Sequence, residues 1–233
     1  MPTVPGFLPS RNGLRFANAW PSEPAVEVSV PGIVPVGIGN AANGLCGGMV
    51  FTVRDVFQAG LPPLEDPRPP QGSPLFAYIV RRLIASFDIP GGVLKYYEWM
   101  NTADGDVDLC MVTRRGVAWR TIRQEWPLVR KDLDEGLPCP LGLVTVRSVN
   151  PMELGRNHQV LAYGYELAGE QLTLRVYDPN TEPALGDGVF LRLRTDHPAT
   201  PAPIEHNVGI TEPVRGFFRV RYTYRDPSAL RPP

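Results

Sequence analysis

Cysteine and histidine are scarce in this chain, three of each in 233 residues, and the net charge is only −1. Three cysteines cannot all pair, so a disulfide scaffold is not expected. Near-neutral charge gives no reason to expect nucleic acid or an anionic membrane as the main partner. No apolar run reaches the length of a membrane-crossing helix. The first ten residues carry Pro2, Pro5 and Pro9 and no basic segment ahead of an apolar run, so no signal peptide is recognised. No Asn-x-Ser/Thr site occurs. These absences predict a reduced, cytoplasmic protein, with export by a signal-independent route left open. Asp196-His197 and Glu205-His206 are isolated pairs without recurring zinc-type spacing. Neither a metal nor another cofactor is expected.

What the chain does have is 27 prolines, 23 glycines and 43% hydrophobic residues. That composition predicts a loop-rich protein of short elements around a sizeable core. Residues 1–24 read as an irregular strap over the surface, and 25–30 alternate as a strand should. Residues 31–45 read as a tight glycine-bearing loop. The helix after Cys46 presents Met49, Val50, Val53, Val56 and Phe57 at helical spacing, with Arg54 and Asp55 on the other side. Ser73-Pro74 marks a second helix start, cap then proline. Its apolar stripe is Leu75, Phe76, Ile79, Val80, Leu83, Ile84 and Phe87. Helices are also expected over 93–100 and 127–135. Later segments are β-rich: 141–149, 159–167, 171–177, 189–193 and 217–224, with Ala168-Gly169-Glu170 as a hairpin turn. Helices first and an antiparallel sheet afterwards predict an α+β fold. One domain over 1–233 is expected, with a helical lobe at about 40–138, a sheet lobe at about 139–225 and a cleft between them. The aromatic residues Trp99, Trp119, Trp126, Tyr96 and Tyr97 read as packing of the helical lobe. Cys110 and Cys139 read as structural.

Cys46 lies in Asn43-Gly44-Leu45-Cys46-Gly47-Gly48-Met49, at the mouth of a helix. There the helix dipole and the unpaired first-turn N–H groups favour a thiolate. The flanking glycines would admit a substrate backbone. His158 opens the run Asn157-His158-Gln159-Val160, which is apolar on both parities, so a titratable group there needs a purpose. Asp178 closes the next strand in Tyr177-Asp178-Pro179-Asn180. Nucleophile, base and orienting acid is the set that cysteine hydrolases use. Each residue also has an ordinary role open to it: Cys46 as a small core residue, His158 as a polar strand start, Asp178-Pro179 as a turn. Asn180 is the alternative orienter. Gly37-Ile38-Gly39-Asn40-Ala41-Ala42 fits a dinucleotide-binding loop, with Asp55 near the usual acidic position. However, Gly44, Gly47 and Gly48 interrupt the helix that should follow, and no βαβ alternation appears.

Together these pieces resemble the papain-like cysteine peptidases, and the bacteriocin-processing (peptidase C39-like) type most closely. The matching segments are Gly44-Leu45-Cys46-Gly47-Gly48-Met49, Pro140-Leu141-Gly142-Leu143-Val144, Asn157 through Tyr165, and Val176-Tyr177-Asp178-Pro179-Asn180. The resemblance spans roughly residues 36–182. It implies Cys46 as nucleophile, His158 as general base, Asp178 as orienting acid and no cofactor. It also implies a peptide or protein substrate in the cleft. A glutamine six positions before the cysteine assists the oxyanion in that family. Here the position is Asn40, one methylene shorter, with Asn43 as the alternative. The same triad runs acyl transfer when an amine replaces water. A weakened or inactive module that only binds a peptide is the third outcome this departure leaves.

Overall fold

The computed structural model describes residues 3–20, 26–30, 33–38 and 45–230, with side chains except over 26–38. Its architecture is α+β. A short helix α1 (Pro9–Asn12) precedes an antiparallel hairpin of β1 (Val26–Val30) and β2 (Ile33–Ile38). Then come α2 (Cys46–Gln58), α3 (Pro74–Ser86) and α4 (Gly91–Asn101). A small hairpin, β3 (Val107–Leu109) and β4 (Val112–Arg114), follows. Next, α5 (Val117–Trp119) runs through a π-helical segment, Arg120–Glu125, into α6 (Trp126–Asp134). The second half adds β5 (Cys139–Val144), β6 (His158–Ala168), β7 (Gln171–Tyr177), β8 (Phe190–Arg194), β9 (Glu205–His206) and β10 (Gly216–Arg219). These six form one antiparallel sheet in the order β10-β5-β6-β7-β8-β9. Among the described residues, no helix is long and apolar enough to cross a membrane.

Local chemistry accounts for these elements. Ser73 caps α3 by accepting from the Phe76 N–H at 3.3 Å, with Pro74 at the first helical position. In β5–β7 the inward side chains Leu141, Leu143, Val160, Ala162, Leu172, Leu174 and Val176 are fully buried. Side chains from the helices, the sheet and the N-terminal segment share one apolar core.

Several expectations change. The N-terminal segment is more than a strap, because Val4, Phe7, Leu14, Phe16 and Trp20 are buried in the core. Phe7 stands edge-on to Phe57 of α2, and the Val4 N–H bonds the Tyr163 carbonyl of β6. The loop expected over 31–45 contains β2. Gly37 and Ile38 lie in an antiparallel hairpin, which is not the parallel unit a dinucleotide loop requires. The apolar stripe of α3 is narrower than the sequence suggests, since Ile84 is exposed. The last strand is short: beyond Arg219 the chain leaves the sheet and turns back over α2 and α3.

That tail explains why Arg54 and Asp55 are buried instead of facing solvent. Asp55 accepts hydrogen bonds from Tyr78 and Arg82 of α3, and from the Tyr222 hydroxyl (2.6 Å) and the Arg225 N–H of the tail. Arg54 stacks over the Tyr222 ring, 3.8 Å from its centre. Helix α2 is therefore enclosed on all sides. Met49, Val50, Phe51, Val53 and Val56 pack on its other faces, each contributing about 1.5–3 kcal/mol by burial.

Cys139 is fully buried at the start of β5, where desolvation pushes its thiol well up. Cys110 is not a structural residue of the core: it is exposed, in the turn between β3 and β4. Trp99, Trp126 and Tyr96 are buried, whereas Trp119 and Tyr97 are half-exposed.

Candidate functional site

Cys46 is the first residue of α2 and is partly exposed. Leu45 holds the N-cap position and supplies no side-chain cap. The first-turn N–H groups and the positive dipole end thus act on the sulfur and on whatever approaches it. Gly47 and Gly48 serve packing, not substrate approach. A Cβ on Gly47 would strike the Ser86 hydroxyl and the Gln159 amide, and one on Gly48 would strike the Ile79 carbonyl. They let α2 lie close against α3 and β6.

His158 opens β6 and is 4% exposed. Its Nε2 lies 2.6 Å from Oδ1 of Asp178, itself 1% exposed. The other ring nitrogen, Nδ1, is left for Cys46. That sulfur sits close enough to raise the proton affinity of the ring by charge and by hydrogen bonding. Burial opposes a charged ring, but Asp178 and then Cys46 outweigh it and push the His158 pKa up to about 10. Burial likewise opposes the Asp178 charge. The positive imidazole and the N–H groups of Gly209 and Asn180 overcome it and bring that carboxyl down to about 2.

Asp178 is held from four directions. Oδ1 accepts from His158 and from the Asn180 N–H (3.0 Å); Oδ2 accepts from the Thr181 hydroxyl (2.8 Å) and the Gly209 N–H (2.6 Å). Asn180 does not touch the imidazole. Its amide donates to the Gly209 carbonyl at 3.2 Å and accepts from Asn18.

A bulge brings Asp178 to His158. From Ala168↔Gln171 to Gly164↔Arg175 the β6–β7 register is regular. It then shifts by one residue, giving Ala162↔Val176 and Leu161↔Tyr177. Continued one step, Asp178 stands across from Val160, which shares a strand face with His158. Without the bulge it would stand across from Leu161, on the opposite face. The hairpin turn at Ala168-Gly169-Glu170 therefore does not by itself set His158 directly opposite Asp178. The contact is diagonal, and the bulge supplies its parity. The N-terminal segment seats on this irregularity through the Val4–Tyr163 bond and a bridge between Thr3 and Gly164.

Three supporting residues have no obvious signature in the sequence. The Asn18 side chain accepts from the Leu45 N–H (3.0 Å) and donates to the Asn180 side-chain oxygen Oδ1 (2.9 Å), while the Asn18 backbone N–H donates to the Pro179 carbonyl. One side chain thus ties the start of α2 to the loop that follows Asp178. The Tyr96 hydroxyl of α4 bonds the His158 carbonyl at 3.3 Å. Gln159, buried beside Gly47, donates to Ser86 at 3.3 Å. The only sequence signal for Gln159 is a polar residue within an apolar strand. The two candidates for oxyanion stabilisation, Asn40 and Asn43, lie outside the described residues. His197 is exposed beside Asp196 and far from this cluster in the chain, and His206 lies on the edge strand β9.

The arrangement places a sulfur at a helix N-terminus beside an imidazole held by a buried carboxylate. A thiol and an imidazole are thereby near enough to influence each other electrostatically, and the ring's second nitrogen is held by Asp178. Comparison with known protein families, with curated proteins and with solved structures finds no match to this chain.

Proposed function

We propose that this chain is a papain-like cysteine hydrolase that cleaves a peptide or another amide or ester bond. One observation carries the proposal: His158 is fixed between a four-times hydrogen-bonded Asp178 and Cys46 at the start of α2. In this reading the Cys46 sulfur attacks the substrate carbonyl, forming a C–S bond. The negative oxygen is stabilised by the N–H of Cys46, with Asn40 or Asn43 as the side-chain donor. The C–N or C–O bond then breaks as His158 gives its proton to the leaving group. Water attacks the thioester with His158 as base, and the acid product departs as the thiol re-forms. Asp178 keeps the ring oriented and stabilises its charged form. An amine in place of water would make the product an amide.

The test is labelling with a panel of electrophilic peptides, with the modified residue located by mass spectrometry. Cys110, exposed in a hairpin turn, is an internal reference thiol. Cys46 should label far faster than Cys110 at mildly acidic pH, where ordinary thiols hold little thiolate. His158→Ala should remove that advantage. Equal labelling of the two cysteines would reject the proposal. Asn at position 40 favours a second reading, a peptide-binding module with little turnover. Saturable peptide binding without preferred labelling of Cys46 would select it.

A further inference from the structure

Helix α4 has two working faces. Tyr96, Trp99 and Met100 point into the core beside the site. Leu94 and Tyr97 instead border a groove of about 920 Å³, which Val107, Leu109 and Arg114 of the β3–β4 hairpin also line. Its apolar surface is exposed: Leu94 and Leu109 are each 51% accessible, and Val107 is 41%. Every residue of both hairpin strands is exposed.

The charges around this groove are unequal. Lys95 pairs with Glu125 (2.7 Å), Arg115 with Asp106 (2.6 Å) and Arg120 with Glu98 (2.5 Å), so these cations are already neutralised. Arg114 and Arg147 also line the groove, are exposed, and have no ion pair among the described residues. Two arginines without an ion pair among the described residues thus line the same groove as three exposed aliphatic side chains, in a chain whose net charge is −1. A flat membrane cannot follow a concave surface of this kind. A nucleic-acid strand would require a longer cationic track than two arginines provide.

We propose that this groove docks an extended peptide segment of a partner protein in which acidic and aliphatic residues alternate. The acidic side chains would meet Arg114 and Arg147, and the aliphatic ones would cover Leu94, Val107 and Leu109. Guanidinium groups suit this role because their planar fork binds a carboxylate through two hydrogen bonds. The inference concerns binding alone and stands whether or not Cys46 is a nucleophile.

The test uses the full chain carrying Cys46→Ala, so that no turnover can consume the probe. The probe is a fluorescein-labelled Leu-Glu-Leu-Glu-Leu peptide, with the Gln and Lys counterparts as comparisons, read by fluorescence anisotropy. The Glu peptide should bind saturably, more weakly as salt rises, and better than both counterparts. The double change Arg114→Glu with Arg147→Glu should weaken it by about tenfold or more, the effect of reversing two partly exposed charge pairs. Arg114→Lys with Arg147→Lys should retain most of the affinity, and Leu109→Ala should lower it. Melting temperatures check that each variant folds; if the double reversal does not, the single Gln changes and the salt dependence of the unchanged chain decide. The proposal is overturned if no saturable binding occurs, if the Gln peptide binds equally well, or if charge reversal has no effect. Charge-dependent binding to phosphatidylserine vesicles without peptide binding would also overturn it.

Discussion

Replacing Asp178 by Asn tests the site with the least change of shape. The carboxylate receives four donors, two on each oxygen. An amide offers one acceptor oxygen and one donor nitrogen, so one orientation must fail at each end. If the amide oxygen faces His158, the NH₂ group meets the Gly209 N–H, donor against donor, at a position where the carboxylate bond is 2.6 Å. If it is flipped, NH₂ faces Nε2, and the ring proton is forced onto Nδ1, toward Cys46. The imidazole then cannot take a proton from the sulfur. Either outcome leaves a buried donor unpaired, at about 1–3 kcal/mol of stability. Asp178→Ala removes the whole charge from a buried pair and should cost about 3–5 kcal/mol. Turnover should fall by about 10³–10⁴-fold in the Asn variant. Asn180→Ala should cost at most about tenfold, because it removes only hydrogen bonds worth ~1 kcal/mol each and spares its backbone N–H to Asp178. The assays are denaturant unfolding, steady-state kinetics on a labelled peptide, and NMR titration of His158. The His158 pKa, about 10 beside Asp178, should drop in the Asn variant. An unmoved His158 titration, or a larger loss from Asn180→Ala, would refute the assignment of Asp178 as the partner that orients and charges the ring.

Stability should follow pH through the same pair. His158 is raised, so its contribution is complete below its unfolded value of about 6.5 and is lost as pH rises through about 10. Asp178 is lowered, so its contribution is present above about 3.9 and lost as pH falls through about 2; Asp178→Ala should flatten both limbs of a melting-temperature profile. Cys46→Ala should abolish hydrolysis and leave the melting temperature nearly unchanged; a collapse of the fold would instead mark Cys46 as a packing residue. Asn18→Ala should lower kcat more than it raises KM and cost about 1–2 kcal/mol of stability, and Asn18→Asp should not rescue it, because a carboxylate oxygen would then face the Asn180 side-chain oxygen. Gly48→Ala should destabilise by about 1–3 kcal/mol in a chemical melt, since a rigid carbonyl, that of Ile79, occupies the space of the new methyl group.

The parts of the fold legible in the sequence are those set by local rules. Ser73-Pro74 announces α3 because a cap and a proline act within one turn. The alternation through 171–177 yields β7 over the same residues. Arg54 and Asp55 were not legible, because helical periodicity assigns them a polar face and cannot foresee a tail that covers it. The covering residues, Tyr222 and Arg225, lie more than 160 positions away. The exposed β3–β4 hairpin escaped detection because each of its strands is only three residues long, too short for a period of two to mark, and none of its residues is buried. Gly47 and Gly48 illustrate a subtler gap: a glycine needed for helix packing looks in sequence like one needed for a ligand.

The candidate site divides in the same way. Its three side chains stand out because each is chemically unusual for its place: a thiol at a helix mouth, an imidazole in an apolar strand, a carboxylate before a turn. Their meeting does not stand out, because it depends on the one-residue bulge near Tyr163. The extra residue is in β6, so it reverses which face the β6 residues from Ala162 back to His158 share with their β7 partners. No residue type demands one there, and the N-terminal segment that seats on it begins more than 150 positions earlier. Asn18 belongs to that same segment and joins Leu45 to Asn180. The segment therefore acts on the site at two points, through the strand that aims Asp178 and through the side chain that anchors its loop to the Cys46 helix. A short and irregular stretch without periodicity is in this way a determinant of how Cys46, His158 and Asp178 are placed. Its influence passes through backbone hydrogen bonds, to which composition and pattern are blind.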